Sequence, residues 1–235
     1  MISKTDSVTP DSSVNLLKNL HSLWPSSYKN ELSRMGYKST IGDISHPETK
    51  KYLDSNVLQG VNSNIRDMFL GDKNKGYDAI HNATKGIAFT PHIDNNPSKM
   101  FRLAAHEHGH MIHNLMKDHT LNPTTEEAKA LKKHLEAFNS IASKKREVKI
   151  PESRRYKYPE EKIGNETFAE LHRGLMNHIY LTGNRTSFGD SVRGYIDKYG
   201  KDKNGGVRDT FKVFGNMLLL LHNHLNQGQN KERYV

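Results

Sequence analysis

The feature that most constrains this chain is the run His106-Glu107-His108-Gly109-His110, an H-E-x-x-H motif. Histidines four positions apart lie one turn apart on the same side of an α-helix, so both imidazoles can reach one metal ion. Glu107 lies beside His106 on the neighbouring face, where its carboxylate can hold a water without binding the metal. On a helix, the motif therefore predicts two zinc ligands, an open coordination position and a general base.

The sequence around the motif favours the helix that the motif needs. A chain with 14 histidines can contain H-E-x-x-H by chance, so the flanking residues decide. Apolar residues recur at helical spacing on both sides of the motif, at Met100, Leu103, Ala104, Met111 and Leu115. Asn96 can cap the helix, with Pro97 at its first position. His108 and His113 lie on other sides of such a helix and should not share the metal.

A catalytic zinc needs a third protein ligand, and a second segment offers one. The longer metzincin pattern requires a glycine and a histidine where this chain has His113 and Met116, which excludes that class. Farther along the chain, Glu166 and Glu170 lie one helical turn apart and follow Asn165, which is a candidate N-cap. The two carboxylates can supply a ligand and a partner for a ligand histidine. The alternative is an acidic first turn that only complements the helix dipole.

Together the two segments resemble the zinc metalloprotease domain of anthrax lethal factor and its relatives, which include the Pro-Pro endopeptidases. The resemblance is carried by His106 to His110 and by the later run Glu166-Thr-Phe-Ala-Glu170, and it covers roughly residues 85 to 185. It implies a zinc ion bound by His106, His110 and Glu166. It further implies that Glu107 is the catalytic base and that Glu170 contacts one of the ligand residues without binding the metal itself.

The same resemblance implies a tyrosine shortly before the ligand glutamate, whose hydroxyl stabilises the oxyanion of the reaction. The candidates are Tyr156 and Tyr158, which lie in the run Arg155-Tyr-Lys-Tyr158-Pro159. Tyr158 is one residue farther from Glu166 than the family's usual spacing. We expect Tyr158 to fill the role, with Tyr156 as the alternative.

The fold implied by the resemblance is α+β and mostly helical, a zincin-like metalloprotease domain with a small sheet and an active-site helix. The implied activity is that of a zinc-dependent endopeptidase that cleaves a protein or peptide substrate. The segment Gly86 to Thr90 reads as a strand, which in such proteases is an edge strand that pairs with substrate; the alternative is a buried strand. Two other functions stay open: a metal-dependent amidase on a small or cell-wall substrate, and an inactive zinc-site binding protein.

Composition limits the cofactors and partners. The net charge of +9 could serve nucleic-acid binding, but lysines and arginines are scattered and no nucleic-acid motif accompanies them. We therefore expect a basic solvated surface and no nucleic-acid partner. The absence of cysteine leaves only nitrogen and oxygen ligands for Zn²⁺. No apolar run approaches the length of a membrane span.

The predicted organisation is an N-terminal extension over residues 1–60 and a metalloprotease domain over residues 61–230. The Ser/Thr-rich start reads as disordered, and such starts occur both in bacterial effectors and in ordinary chain termini. On the family resemblance we expect a monomeric toxin or effector, secreted without a cleavable signal, that acts on a host protein; the alternative is a cytoplasmic protein. A short helix should follow this start, and residues 30–60 should be irregular. Helical patterns also occur at residues 61–70, 124–142, 188–199 and 207–225, the second of them opening on a capping box at Thr124 to Glu127.

Overall fold

The computed structural model describes most of the chain, in the ranges 2–7, 9–71, 79–82, 86–89, 96–145, 147–149, 160–183 and 187–226. Within these ranges most residues are helical and four short strands form one sheet. The predicted class, α+β and mostly helical, is confirmed at this level.

The sheet has the strand order β1-β2-β4-β3. Strands β1 (Ile2–Lys4), β2 (Lys38–Ile41) and β4 (Gly86–Phe89) run parallel, and β3 (Ala79–Asn82) is antiparallel to β4. The strand predicted at residues 86–90 is therefore confirmed as β4, but the expectation that it is an edge strand is wrong. It is buried and hydrogen-bonded on both sides, to β2 and to β3. Its apolar run, which lacks alternation, is typical of such an interior position.

The described helices are α1 (Asp11–Ser22), α2 (Ser26–Arg34), α3 (Pro47–Asn56), α4 (Ser63–Leu70), α5 (Pro97–Thr120), α6 (Glu126–Lys145), α7 (Glu160–Thr182), α8 (Phe188–Tyr199) and α9 (Asp209–Leu225). Each helical pattern in the sequence corresponds to one of them. The cap of α6 differs from the prediction, because the hydroxyl of Thr125, not Thr124, accepts from the backbone N–H of Ala128. Among the described helices, none is both long and apolar enough to cross a membrane.

Residues 30–60 are more regular than the sequence suggested. They contain the end of α2, strand β2 and helix α3. The residues that interrupt the apolar pattern lie between these elements or begin one of them: Gly36 follows α2 with a φ of 78°, and Pro47 is at the start of α3. These residues do mark turns and element ends, as the sequence predicted. The helix and the strand between them are too short for their apolar residues to form a recognisable periodic pattern.

The first 60 residues share the sheet and the core of the rest of the chain. Leu17 and Leu20 of α1 belong to the same apolar cluster as Leu115 of α5 and Phe168 of α7. The disorder expected at the N-terminal start is wrong for Ile2–Lys4, since this strand pairs with β2. The boundary at residue 60 stays a prediction.

Helices α5 and α7 pack closely at the centre of the molecule. A Cβ atom added to Gly109 of α5 would lie 2.7 Å from the Cα atom of Ala169 in α7, so only glycine permits this approach of the two backbones. The two helices are antiparallel, as two contacts show. The Nδ1 atom of His110 lies next to Asn165, whereas the earlier residue Ala105 accepts a hydrogen bond through its carbonyl from the Nδ1 atom of the later residue His172. The antiparallel pair places the H-E-x-x-H segment against the N-terminal half of α7.

Candidate metal centre

Helix α5 begins as the sequence predicts. The side chain of Asn96 accepts hydrogen bonds from the backbone N–H groups of Ser98 and Lys99, and Pro97 is the first helical residue. The predicted apolar stripe packs into the core, with Met100, Ala104, Met111 and Leu115 buried and Leu103 half-buried. The motif therefore lies within a helix of 24 residues, in the geometry that it needs.

Three side chains of the motif come together. His106, Glu107 and His110 each offer a ligand atom, and these atoms lie within 4.8 Å of one another. The two imidazole rings are 4.8 Å apart between centroids, with their planes at 90°. Both histidines are buried, whereas Glu107 is half-buried. This group could hold a metal ion. It contains the two predicted histidine ligands, but its carboxylate is that of Glu107, which was predicted to act as the base and not as a ligand.

Helix α7 brings two carboxylates to the same histidine. The Oε2 atom of Glu166 lies 3.6 Å from the Nε2 atom of His106, and the Oε1 atom of Glu170 lies 3.0 Å from its Nδ1 atom. The two glutamates thus face opposite nitrogens of one ring. Arg173 contacts Glu170 in turn, at 2.5 Å between Nη2 and Oε2. Glu170 therefore lies behind His106, as predicted, and the role of Glu166 as a ligand stays a prediction.

Asn165 has a role that the sequence did not indicate. It was a candidate N-cap, but α7 already begins at Glu160, so that prediction is wrong. The Oδ1 atom of Asn165 lies 3.0 Å from the Nδ1 atom of His110. Because an amide oxygen only accepts hydrogen bonds, this contact suits the tautomer of His110 with its proton on Nδ1, which leaves Nε2 as the nitrogen that can bind a metal.

The charges around His106 favour a cation. Burial alone would lower the pKa of His106, but the contacts with Glu166 and Glu170 and the charge of Glu107 raise it to about 9. His172 of α7 is also buried against α5, but its Nδ1 atom is hydrogen-bonded to the backbone carbonyl of Ala105, and burial lowers its pKa to about 4. The carboxylates therefore hold positive charge at His106, and a divalent cation could take the place of the extra proton.

The other two histidines of the motif region face away from this group. The Nε2 atom of His108 lies 3.0 Å from the hydroxyl of Ser39 and 3.1 Å from the Nε2 atom of His21. His113 is fully buried against the ring of Phe168, and burial lowers its pKa to about 3. Neither shares the metal group, as the helical geometry predicted.

Tyr158 and Tyr156 lie outside the described residues, so the assignment of an oxyanion tyrosine stays a prediction. Asn165 and Arg173 are the residues near the site that sequence reasoning missed. No local pattern marks them, because their contacts depend on how α7 docks on α5.

Comparisons with known proteins add no family assignment. No protein-family model matches the chain, and no significant match to it was found among curated proteins or solved structures. The resemblance to the lethal-factor proteases therefore rests on the motif residues themselves.

Proposed function

We propose that this chain is a zinc-dependent endopeptidase in which His106, His110 and Glu166 bind the metal and Glu107 is the general base. One observation supports this most strongly. The Nδ1 atom of each motif histidine lies at 3.0 Å from a side chain of α7, Glu170 at His106 and Asn165 at His110. The contact of Asn165 with His110 is a hydrogen bond, and that of Glu170 with His106 is an ion pair. Outer partners of this kind orient ligand histidines in metal sites.

The donor atoms suit zinc. The chain has no cysteine, so imidazole and carboxylate are its available strong zinc ligands. Two ligand atoms at about 2.0 to 2.2 Å from one tetrahedral zinc ion lie roughly 3.4 Å apart. The distance of 3.6 Å between Glu166 Oε2 and His106 Nε2 is close to that value. Among the described residues, Glu166 is not one of the three side chains whose ligand atoms lie within 4.8 Å of one another, so its proposed role as third ligand rests on its contact with His106 and on the resemblance.

The chain's residues would divide the work of peptide hydrolysis. Zinc, when bound, supplies a water of lowered pKa and polarises the substrate carbonyl. Glu107 takes the proton of the attacking water and then donates it to the leaving amine. Glu170 and Asn165 keep the two imidazoles in position throughout. Tyr158 is proposed to stabilise the oxyanion, by resemblance alone.

The substrate and the place of action are proposed on the same resemblance. We propose a protein substrate, and a secreted effector or toxin as the biological context. The half-buried Glu107 leaves the base within reach of a bound chain.

Zinc content and proteolysis test the proposal together. The protein is prepared with excess zinc, dialysed, and analysed for metal and for cleavage of a proteome-derived peptide library by mass spectrometry. We expect cleavage in the wild type, its loss on chelation and its return with zinc. Glu166→Gln should lose zinc, whereas Glu136→Gln, an exposed glutamate of α6, should keep it.

Two results would contradict the proposal. Zinc content that is the same in Glu166→Gln as in the wild type would remove Glu166 from the site. Metal bound as expected but no zinc-dependent cleavage of any peptide would leave a metal-binding protein without protease activity.

A further inference from the structure

A second pair of histidines meets at the C-terminal end of α5. The Nδ1 atom of His119 lies 3.1 Å from the Nε2 atom of His224 in α9. Their ring centroids are 5.1 Å apart and their planes make an angle of 77°. These values are close to the 4.8 Å and 90° of His106 and His110. Two distant parts of the chain thus build a pair with nearly the geometry of the motif.

Each ring of the second pair also has a partner on its outer nitrogen. The Nε2 atom of His119 lies 2.9 Å from the Oε1 atom of Glu31 in α2, and the Nδ1 atom of His224 lies 3.1 Å from the hydroxyl of Thr125. Glu31 is itself fixed by two hydrogen bonds from Arg34. The inner nitrogens therefore face each other while the outer ones are held, as in metal sites with carboxylate–histidine pairs.

The spacing of the inner nitrogens fits one shared ion. Two nitrogens bound to one ion at about 2.0 to 2.1 Å, with an angle between 90° and 109°, lie roughly 2.9 to 3.4 Å apart. The observed 3.1 Å between His119 and His224 falls in this interval. The same distance also suits a hydrogen bond between the rings, so the proton positions decide which ligand the pair can accept.

The outer contacts allow both inner nitrogens to be deprotonated. With His119 protonated on Nε2, that N–H donates to the Glu31 carboxylate and Nδ1 keeps its lone pair. With His224 protonated on Nδ1, that N–H donates to the Thr125 hydroxyl and Nε2 keeps its lone pair. Both rings are then neutral ligands, and an ion replaces only the direct contact between them.

Access and charge also suit a cation here. The side chain of His119 is 19% exposed and His224 is half-buried, so an ion can reach the pair and keep waters as further ligands. Glu31 and Glu127 contribute negative charge at His224.

We propose that His119 and His224 form a second transition-metal site, supported by Glu31 and Thr125 and completed by water. Imidazole ligands suit Zn²⁺, Cu²⁺ and Ni²⁺. With two protein ligands, the site binds more weakly than the centre on the motif. Its ion links α5 to α9 directly, and through the outer partners to α2 and the start of α6. This site does not depend on the proposed protease activity.

Zinc titration of the full chain by isothermal calorimetry tests the second site. We expect two binding steps in the wild type, of which the weaker is lost in His119→Asn and in His224→Asn while the tighter remains. His106→Asn should show the reverse. Glu31→Gln should weaken the second step about 10- to 100-fold. His134→Asn, a single histidine of α6 bonded to a backbone carbonyl, is the control that should change neither step.

The outcomes separate the two sites. A wild type whose single step is lost in His106→Asn but not in His224→Asn would overturn the second site, and so would a second step that survives both His119→Asn and His224→Asn. Loss of the step in His134→Asn would also overturn it, by placing the metal elsewhere. Asparagine keeps hydrogen-bonding capacity, and circular dichroism with thermal melting of each variant shows whether it folds. Failure of the motif centre would appear instead as a wild type with only the step that is sensitive to His224.

Discussion

Helix α5 carries two histidine pairs, one in its middle and one at its C-terminal end, and they are built in different ways. His106 and His110 are four residues apart, so the helix alone brings their rings together. His119 meets His224, 105 residues away, and its outer partner Glu31 is 88 residues away. Local spacing makes the first pair visible in the sequence, whereas only the packing of α5 with α2 and α9 creates the second.

The two pairs also differ in the charge around them. Three glutamates act on His106 and raise its pKa to about 9. At the second pair, Glu31 is shared with Arg34, and the pKa of His224 is lowered. The motif pair therefore attracts a cation more strongly. With Glu107 as its proposed base, the motif pair is suited to catalysis, whereas the second pair is suited only to binding an ion.

The largest effect expected from a single substitution is at Glu107. Glu107→Gln should keep zinc and the fold but lose about 10² to 10⁴ in cleavage rate or more, since only the proton acceptor is removed. The measurement is the cleavage rate of a peptide identified as a substrate, together with zinc content. Turnover at the wild-type rate would exclude Glu107 as the base. The motif pair would then, like the second pair, only bind a metal ion.

The next effect concerns the partner of His110. Asn165→Ala should weaken zinc binding at the motif pair about 10- to 100-fold, because the ring of His110 loses the contact that fixes its orientation and proton. Competition with a chromophoric chelator measures this affinity. Asn177→Ala, an exposed position of the same helix, should have no effect. Equal affinities in the two variants would show that Asn165 does not orient the ligand.

A smaller effect is expected at Gly109, where α5 and α7 touch. Gly109→Ala should lower the free energy of unfolding by about 1 to 3 kcal/mol, since the new methyl group would overlap the backbone at Ala169. Chemical denaturation measures the change. The control is Gly194→Ala in α8, whose added Cβ would meet only the Nε2 atom of His178 at 3.4 Å, and helix propensity should make it neutral or stabilising.

If Gly109→Ala were as stable as the wild type, the two helices would not approach as closely as described. The motif pair would then lack the partners that distinguish it from a chance match.

The sequence predicted the long helices and the core of the site because both depend on local spacing. The helical spacing of apolar residues around His106 predicted α5, and Asn96 was correctly predicted as its N-cap. The same reasoning failed at Asn165, because an asparagine before acidic residues looks the same at a helix start and inside a helix. It also failed at β1 and in residues 30–60, where short strands are stabilised by partners distant in sequence.

The contacts that most distinguish this centre come from tertiary packing. Glu170 was predicted to lie behind a ligand because its spacing from Glu166 follows the helix, and it does contact His106. The contact between Glu31 and His119 could not be predicted, since no sequence pattern in either segment indicates that the two segments pack together. The relative positions of residues within one helix can thus be predicted from the sequence, whereas the way in which separate helices pack cannot.

The central claim is that the motif histidines bind zinc through their Nε2 atoms. The most direct measurement is an anomalous difference map at the zinc absorption edge from crystals grown with zinc. We predict a peak at about 2.0 to 2.1 Å from Nε2 of both His106 and His110, with a Glu166 oxygen at about 2.0 to 2.2 Å. A map without a peak between these histidines, or a peak bound through Nδ1, would contradict the account.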